Sequence, residues 1–244
     1  MRFLHHAGRR ALLLTILLAV SSASVAQYSS GATDGVTGSA VDKDSGDDWS
    51  ADLKAPLGPA DDVGGSWNAM LLYGQMTDAA LVDVFVFNFG WADAKLLSGE
   101  VGYTLKEDNP FQKFMSPVLN NIDVALNVTY QDDPAGTIFV FSPFVMARWN
   151  KFPWSNTIRT TFGLGGGLSY ATDIPSIEID PTDPDGNYKN LLHYIAVEAT
   201  FALPQHKDWQ LVYRLHHRSG VFGLMGAENA GNTAVQIGIR HYFK

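Results

Sequence analysis

The hydrophobic pattern of the chain has a period of two from Trp67 to the end. Between residues 122 and 131 the apolar series Ile, Val, Leu, Val, Tyr alternates with Asp, Ala, Asn, Thr, Gln. Successive side chains of a strand point to opposite faces, so this alternation predicts a strand with one apolar and one polar face. The same pattern predicts seven further strands, at Trp67–Gln75, Lys95–Leu105, Thr137–Trp149, Thr157–Ala171, Leu191–Phe201, Trp209–His217 and Thr233–Phe243.

Residues 81–91 also alternate and could form a ninth strand. Nine strands would place the two termini of the barrel on opposite sides of the membrane. We therefore expect an aromatic outer loop between the first two strands.

The predicted strands are about ten residues long, a length that crosses a bilayer when the strands tilt, and an even number of them can close into a barrel. A soluble β-sandwich would use shorter strands and bury its apolar face. The fold class predicted is therefore all-β, an eight-stranded antiparallel transmembrane barrel of the outer membrane. Its polar face would fill the interior with ion pairs, and aromatic residues near the strand ends would form an interfacial girdle. The interior charges expected are Glu100, Asp123, Arg148, Arg159, Glu198, Arg214 and Arg240, and the girdle residues are Trp149, Trp154, Trp209, Tyr242 and Phe243.

The N-terminal part of the chain has a different composition. Three arginines precede an apolar run at residues 11–20, and Ser24-Val25-Ala26 fits the small-x-small pattern of a signal peptidase site. We expect a cleaved signal peptide at 1–26, a flexible, Ser/Gly/Asp-rich periplasmic leader at 27–65 and the barrel at 66–244. Export to the cell outer membrane follows from this arrangement.

Charge and cysteine content exclude several classes of function. The formal net charge is −8, and loss of the three N-terminal arginines would bring it to −11. An acidic chain lacks the electrostatic footprint of a nucleic-acid-binding protein. The chain has no cysteine, which excludes disulfides, thiolate metal sites and a cysteine nucleophile.

We assign no catalytic or binding role to two further motifs. The glycine-rich run at 163–167 lies within a predicted strand with no helix after it, so it fails as a dinucleotide loop, and we expect it to make room inside the barrel for Arg and Glu side chains. An outer loop contains Asp173, Asp180, Asp183 and Asp185, but its spacing and prolines do not match a calcium-binding loop. We interpret this loop as a solvated acidic segment, and no metal or other cofactor is predicted.

His217 and Ser219 are the candidate chemical pair. They are two residues apart on one strand and share the face of Leu211, Tyr213 and Leu215, which points to lipid. A serine becomes a nucleophile when an imidazole accepts its proton, and a hydrolase of membrane lipids needs both groups at headgroup level. A belt of polar interfacial residues is the alternative. If Leu203 pairs with Lys207 and Phe243 with Trp209, His193 lies opposite His217 and Thr233 opposite Ser219.

The segment His217-Arg218-Ser219, at the outer end of the penultimate of eight strands in an exported acidic chain, resembles the PagL-type lipid A 3-O-deacylases and the acyloxyacyl hydrolase-like outer-membrane barrels. The resemblance implies a Ser-His-Glu triad on the outer face of the barrel that hydrolyses the 3-linked acyl ester of lipid A. It assigns the serine to Ser219 and the base to His217. The family acid stands at the start of the last strand, where this chain has Thr233, and Gly220 replaces the asparagine that follows the family serine.

The expected function is therefore a lipid A 3-O-deacylase-like ester hydrolase acting on lipopolysaccharide, with His217, Ser219 and Glu228 as catalytic residues. Glu228 is chosen because it is the nearest acid, in the connecting loop. His193, Thr233 and Gly220 are expected accessory residues. The alternative is a non-catalytic small barrel that is structural, adhesive or lipopolysaccharide-binding. A pore ranks last, because eight strands leave no open channel.

Overall fold

The computed structural model describes residues 63–179, 182–184, 186–220, 225 and 231–243. The expected signal peptide and nearly all of the expected leader lie outside these residues. Eight antiparallel strands pair in sequence order, and the last pairs with the first, so the sheet is a closed barrel. The strands are β1 (Trp67–Thr77), β2 (Trp91–Thr104), β3 (Asn121–Asp133), β4 (Gly136–Trp149), β5 (Arg159–Ala171), β6 (Leu191–Ala202), β7 (Trp209–Ser219) and β8 (Gly231–Phe243). The predicted fold class is confirmed.

Each strand alternates between a buried and an exposed face. The exposed face is apolar, as at Leu71, Leu97 and Ile239, which are about half exposed. The inward face is rich in polar and charged residues that are almost fully buried. An apolar outside and a polar inside are the polarity of a barrel in a lipid bilayer. No described helix is long and apolar enough to cross a membrane.

Ion pairs fill the middle of the barrel, as the sequence predicts. Glu198 contacts three guanidinium groups, with Arg148 Nη1 at 2.6 Å, Arg214 Nη2 at 2.5 Å and Arg240 Nη2 at 2.8 Å. Arg214 also binds Glu100 through both terminal nitrogens, and Arg148 Nε donates to Asp123 Oδ2 at 2.6 Å. All six side chains are almost fully buried. The charges compensate one another, which is the condition for burying them.

The two ends of the barrel differ in their connections. At the end where β1 starts and β8 finishes, here called the terminal end, the links are the short helix α2 (Pro110–Met115), residues 150–158 and a 3₁₀ turn at Pro204–His206. At the opposite end, here called the distal end, the helix α1 (Leu81–Phe85) follows β1 and a 3₁₀ turn at Ser176–Glu178 follows β5. The expectation that residues 81–91 are not a ninth strand is confirmed, although Trp91 already belongs to β2.

Two expectations about side chains need correction. Tyr242 points into the barrel and is 4% exposed, so it is not part of the aromatic girdle, whereas Trp154, Trp209 and Phe243 are about half exposed. Its position on β8 has the parity of Arg240, whose side chain is buried in the interior. The glycine run does not mainly make room for Arg and Glu side chains: a Cβ at Gly163 would lie 2.8 Å from the sulfur of Met146, one at Gly165 would lie 3.0 Å from the ring of Phe144, and one at Gly167 would lie 2.2 Å from the backbone oxygen of Pro143.

Candidate functional site

His217 and Ser219 lie at the distal end of β7 and face outward. The strand alternates strictly, with Arg214, His216 and Arg218 buried and the intervening residues half-buried or exposed. The predicted orientation of the pair is therefore confirmed. Two residues along a strand span about 7 Å, so an imidazole can reach toward the hydroxyl of a residue on the same face.

The predicted register of β7 with its neighbours is wrong by two residues on both sides. His193 lies opposite Ser219 rather than His217, and Thr233 lies opposite His217 rather than Ser219. The cause is at the terminal end. Residues 204–206 form a 3₁₀ turn, so the first β6–β7 pair joins Phe201 to Leu211.

The β7–β8 register follows from contacts at the same end. The ring of Trp209 packs at a tilt of 32° against His241, with ring centroids 4.3 Å apart, and these two residues form the first pair of β7 and β8. The next residue of β8, Tyr242, donates its backbone N–H to the Asp208 oxygen at 2.9 Å. The pairing of Phe243 with Trp209 that the sequence analysis assumed is thereby displaced.

The corrected register brings Thr233 into contact with His217. His217 Nδ1 and Thr233 Oγ1 are 2.9 Å apart, a hydrogen-bond distance. Thr233 is fully buried although its position on β8 has outward parity. Its backbone oxygen accepts the hydroxyl of Thr77 on β1 at 3.0 Å. The partner of the imidazole is therefore held by the strand on its other side.

His193 completes a cluster around Ser219. Residues directly opposite on antiparallel strands have Cβ atoms about 5 Å apart, so the His193 imidazole and the Ser219 hydroxyl are neighbours. His193 Nδ1 is buried, and it has no hydrogen-bond partner in the part of the chain that the structure describes. Gly166, which lies outward on β5, would place a Cβ 3.9 Å from His193 Nε2, so it leaves space on the lipid side of the ring.

On the inner side of the same strands, Glu178 braces this part of the barrel. Arg218 Nη1 donates to Glu178 Oε1 at 3.0 Å, and the Asn232 amide donates to the same oxygen. Arg218 lies between His217 and Ser219, and Asn232 precedes Thr233. The β5–β6 connection thus reaches into the barrel mouth and ties β7 to β8 behind the outward cluster.

The environment of Glu178 is unusual for a loop acid. Its side chain is buried at the mouth, and burial raises the pKa of its carboxyl from 4.5 to about 7. Arg218 and Asn232 act in the opposite direction on that pKa, while Asp133 on β3 adds to the increase. The sequence analysis missed Glu178, because an irregular loop has no periodicity that would show an inward side chain. The available signal was Arg218, which has the inward parity of Arg214 and therefore requires an acidic partner inside the barrel.

The remaining expected site residues are Glu228 and Gly220. Glu228 lies outside the described residues, as do Asp180 and Asp185 of the acidic loop. Gly220 directly follows β7, is buried, and accepts the backbone N–H of Met225 at 3.2 Å. Within the described ranges, no group of three or more His, Asp or Glu side chains could hold a metal ion.

The arrangement offers the elements of an acyl-transfer site at a lipid-facing surface. Ser219 supplies a hydroxyl, His217 an imidazole whose Nδ1 is already engaged, and His193 a second imidazole across the strand pair. When Thr233 Oγ1 accepts from Nδ1–H, the Nε2 lone pair of His217 is available as a base.

No protein-family model and no curated protein match the chain. Among solved structures, it is similar to the outer membrane enzyme PagL, with 12% identity over 71% of this chain and 98% of PagL and a TM-score of 0.43. It is also similar to Neisserial surface protein A, with 12% identity over 74% of this chain and 98% of that protein and a TM-score of 0.43. A third similar structure is the N-terminal β-barrel domain of Pseudomonas aeruginosa OprF, with 14% identity over 74% of this chain and 99% of that domain and a TM-score of 0.40. Identities and TM-scores in this range do not distinguish an enzyme from a non-enzymatic barrel.

Proposed function

We propose that this protein is an outer-membrane hydrolase of lipid acyl esters, with lipid A of lipopolysaccharide as its substrate class. The observation that carries the proposal is the hydrogen bond between His217 Nδ1 and Thr233 Oγ1, formed on the lipid-facing side beside Ser219. A His-x-Ser pair with an oriented imidazole is the minimal arrangement for serine-based ester cleavage. The distal end, which carries the cluster, would be the extracellular one.

In the proposed reaction, Ser219 Oγ attacks the carbonyl carbon of the acyl ester while His217 Nε2 accepts the hydroxyl proton. The tetrahedral intermediate collapses, the bond to the sugar oxygen breaks, and His217 returns the proton to that oxygen. Water, activated by the same imidazole, then hydrolyses the acyl-serine and releases the fatty acid. His193, which lies opposite Ser219, would donate a hydrogen bond to the developing oxyanion in this proposal.

Thr233 replaces the carboxylate of the resembled family at the imidazole. A neutral hydroxyl orients the ring of His217, but it can donate as well as accept and so does not select one tautomer, and it stabilises the imidazolium ion less than a carboxylate does. We therefore propose that Thr233, rather than Glu228, is the orienting residue, and that turnover is slow.

The decisive experiment is expression of the full chain in a host that makes lipid A, followed by mass spectrometry of the extracted lipid A. We expect loss of one 3-hydroxyacyl mass with the wild-type protein and no loss with Ser219→Ala or His217→Ala. Thr137→Ala is the matched control, since it removes an exposed hydroxyl at the distal end of β4, away from the cluster. Intact lipid A with the wild type, or equal loss with Ser219→Ala, would refute the proposal.

A non-catalytic lipopolysaccharide-binding barrel is the second candidate, and the hydroxyl in place of the family carboxylate favours it. In that case the folded protein would bind lipopolysaccharide and leave its mass unchanged. A pore is the least favoured function, because buried ion pairs occupy the interior, and we expect no conductance in planar bilayers.

A further inference from the structure

The segment from residue 81 to residue 91, here called the aromatic segment, exposes apolar side chains at the distal end. Phe87 is 87% exposed and Val86 67%. Isolated exposed apolar residues are common on protein surfaces, but a contiguous set marks an interaction site. The members of this set are Val82, Phe85, Val86, Phe87 and Trp91.

The aromatic segment is an ordered structure. Its neck is closed by Asp78 and Gly90, since the Gly90 N–H donates to Asp78 Oδ1 at 2.6 Å and the Asp78 N–H donates to the Gly90 oxygen at 3.2 Å. Beyond α1, the Phe87 N–H binds the Val84 oxygen at 3.1 Å and the Asn88 N–H binds the Asp83 oxygen at 3.0 Å. Internal bonding of this kind is what a backbone requires in an apolar medium.

The backbone of Phe87 supports a functional reason for its exposure. Its φ is +56°, a left-handed conformation that is uncommon for an aromatic residue. Val84 packs inward and is buried, whereas Phe87 points outward. The turn therefore adopts an unfavourable conformation that presents an apolar ring to the surroundings.

Trp91 joins the aromatic segment to the outward face of the barrel. Trp91 is the first residue of β2, lies opposite Thr77 and is 57% exposed. The ring of Phe89 packs edge-to-face on Trp91 with centroids 5.2 Å apart. Farther along the same outward face of β2 come the exposed charged residues Asp93 and Lys95, and then Leu97 of the apolar belt. Asp83 is the only charged residue between positions 79 and 91, so the aromatic segment is suited to hydrocarbon.

We propose that the aromatic segment inserts into the outer leaflet and binds the acyl chains of neighbouring lipids. This binding surface is separate from the reaction at Ser219 and does not depend on it. A second copy of the chain is the competing occupant, and its presence is an outcome of the experiment below.

The absence of cysteine from the sequence allows single nitroxide labels to be placed without background. Phe87→Cys and Val86→Cys would report on the aromatic segment in phosphatidylcholine vesicles. Leu71→Cys, on the outward face in the middle of β1, is the reference for lipid. Asp183→Cys, exposed in the β5–β6 connection, is the reference for water. The measurement is the ratio of collision rates with oxygen, which concentrates in lipid, to those with a nickel complex, which stays in water.

We expect the ratio at Phe87 and Val86 to match that at Leu71 and to exceed that at Asp183 several-fold. A ratio equal to that of Asp183 would overturn the proposal. Spin–spin broadening at Phe87 that disappears on dilution with unlabelled protein would assign the surface to a second copy and would also overturn it. Heat-modifiable gel migration confirms that each labelled barrel is folded, and lipid A mass spectrometry tests the hydrolase proposal separately.

Discussion

The two faces of β7 are built on different principles. On the inner face, Arg214 contacts two carboxylates and Arg218 a third, and both guanidinium groups are fully buried. On the outer face, His217 is oriented by a hydrogen bond to Thr233, with apolar belt residues below it. The inner face is fixed by several strong contacts that depend on one another. The outer face has fewer contacts that depend on one another, so we expect substitutions there to cost the fold less.

The largest expected effect comes from breaking the inner face. Arg214→Met removes the main partner of Glu100 and leaves a buried carboxylate that retains the Asn127 amide and a distant contact with Arg240. Removing one member of a buried ion pair costs about 3–5 kcal/mol of folding free energy. Urea unfolding in vesicles, followed by heat-modifiable gel migration, should show this loss.

The control for that experiment is the charge-matched double variant Arg214→Met/Glu100→Gln. It should recover a large part of the loss, because no unpaired carboxylate remains at Glu100. Lys95→Met, at an exposed position of β2, should have no measurable effect. Equal destabilisation by the single and double variants would show that packing, rather than charge compensation, dominates the interior.

The second effect concerns the Glu178 brace, which joins the two faces through Arg218 and Asn232. Docked, the Glu178 carboxyl has a pKa of about 7, compared with 4.5 when exposed, because burial favours its neutral form. Between pH 4.5 and about pH 7, the Glu178 carboxyl is therefore protonated when it is docked and ionised when it is exposed. Docking is most stable below about pH 4.5 and loses roughly 3 kcal/mol as the pH rises through 7.

Hydrogen exchange at the Glu178 and Ile179 amides, corrected for intrinsic rates, would measure this docking. Both amides are bonded within the 3₁₀ turn, to the oxygens of Pro175 and Ser176. Protection should fall from pH 5 to pH 8 in the wild type and stay nearly constant in Glu178→Gln. The groups facing Glu178 are Arg218, Asn232 and Asp133. A pH dependence that persists in the glutamine variant would show that Glu178 is not its source.

The third effect tests the outer face. Thr233→Val keeps the shape of the side chain but removes the hydroxyl that binds His217 Nδ1. Loss of such a hydrogen bond, worth about 1 kcal/mol, should lower lipid A deacylation about fivefold while the barrel stays folded. Thr233→Ser, which retains the hydroxyl, should stay close to the wild type.

Thr77→Val is the second control for that test, because the Thr77 hydroxyl contacts Thr233 only through its backbone oxygen. If Thr233→Val is as active as the wild type, Thr233 is not the orienting residue. The next candidate would then be Glu228, the acid that the sequence analysis chose.

The contrast between the faces also explains how far the sequence could predict the molecule. Alternation is local, so it predicted the eight strands, the inward charges and the outward orientation of His217 and Ser219. Register depends on how the chain turns, and the 3₁₀ turn at Pro204–His206 takes up residues that were assumed to pair directly. A shift of two residues preserves the face of every side chain but changes every cross-strand partner.

The same reasoning accounts for the partners that the sequence analysis assigned wrongly or missed. Thr233 was expected opposite Ser219, so its contact with His217 could not be anticipated. Glu178 reaches the barrel mouth through the 3₁₀ turn at Ser176–Glu178, and the contacts of such an irregular connection leave no periodic pattern in the sequence. The tertiary path of the connections, rather than the strands, determines both contacts.

The smallest expected effect tests whether the inner face is as well satisfied as its ion pairs suggest. Thr104 and Thr200 are both buried and inward, but only Thr104 has a partner among the described residues: its hydroxyl donates to Asp123 Oδ1 at 2.8 Å. Replacing a buried hydroxyl that lacks a partner by a methyl group removes a desolvation cost, whereas replacing a bonded one leaves its partner unsatisfied. Thr200→Val should therefore stabilise the barrel by up to about 1 kcal/mol, and Thr104→Val should destabilise it by about 1–2 kcal/mol, both measured by urea unfolding in vesicles. If the two variants shift the unfolding midpoint equally, hydroxyl pairing contributes nothing to the difference, and the inner face derives its stability from the ion pairs and side-chain packing alone.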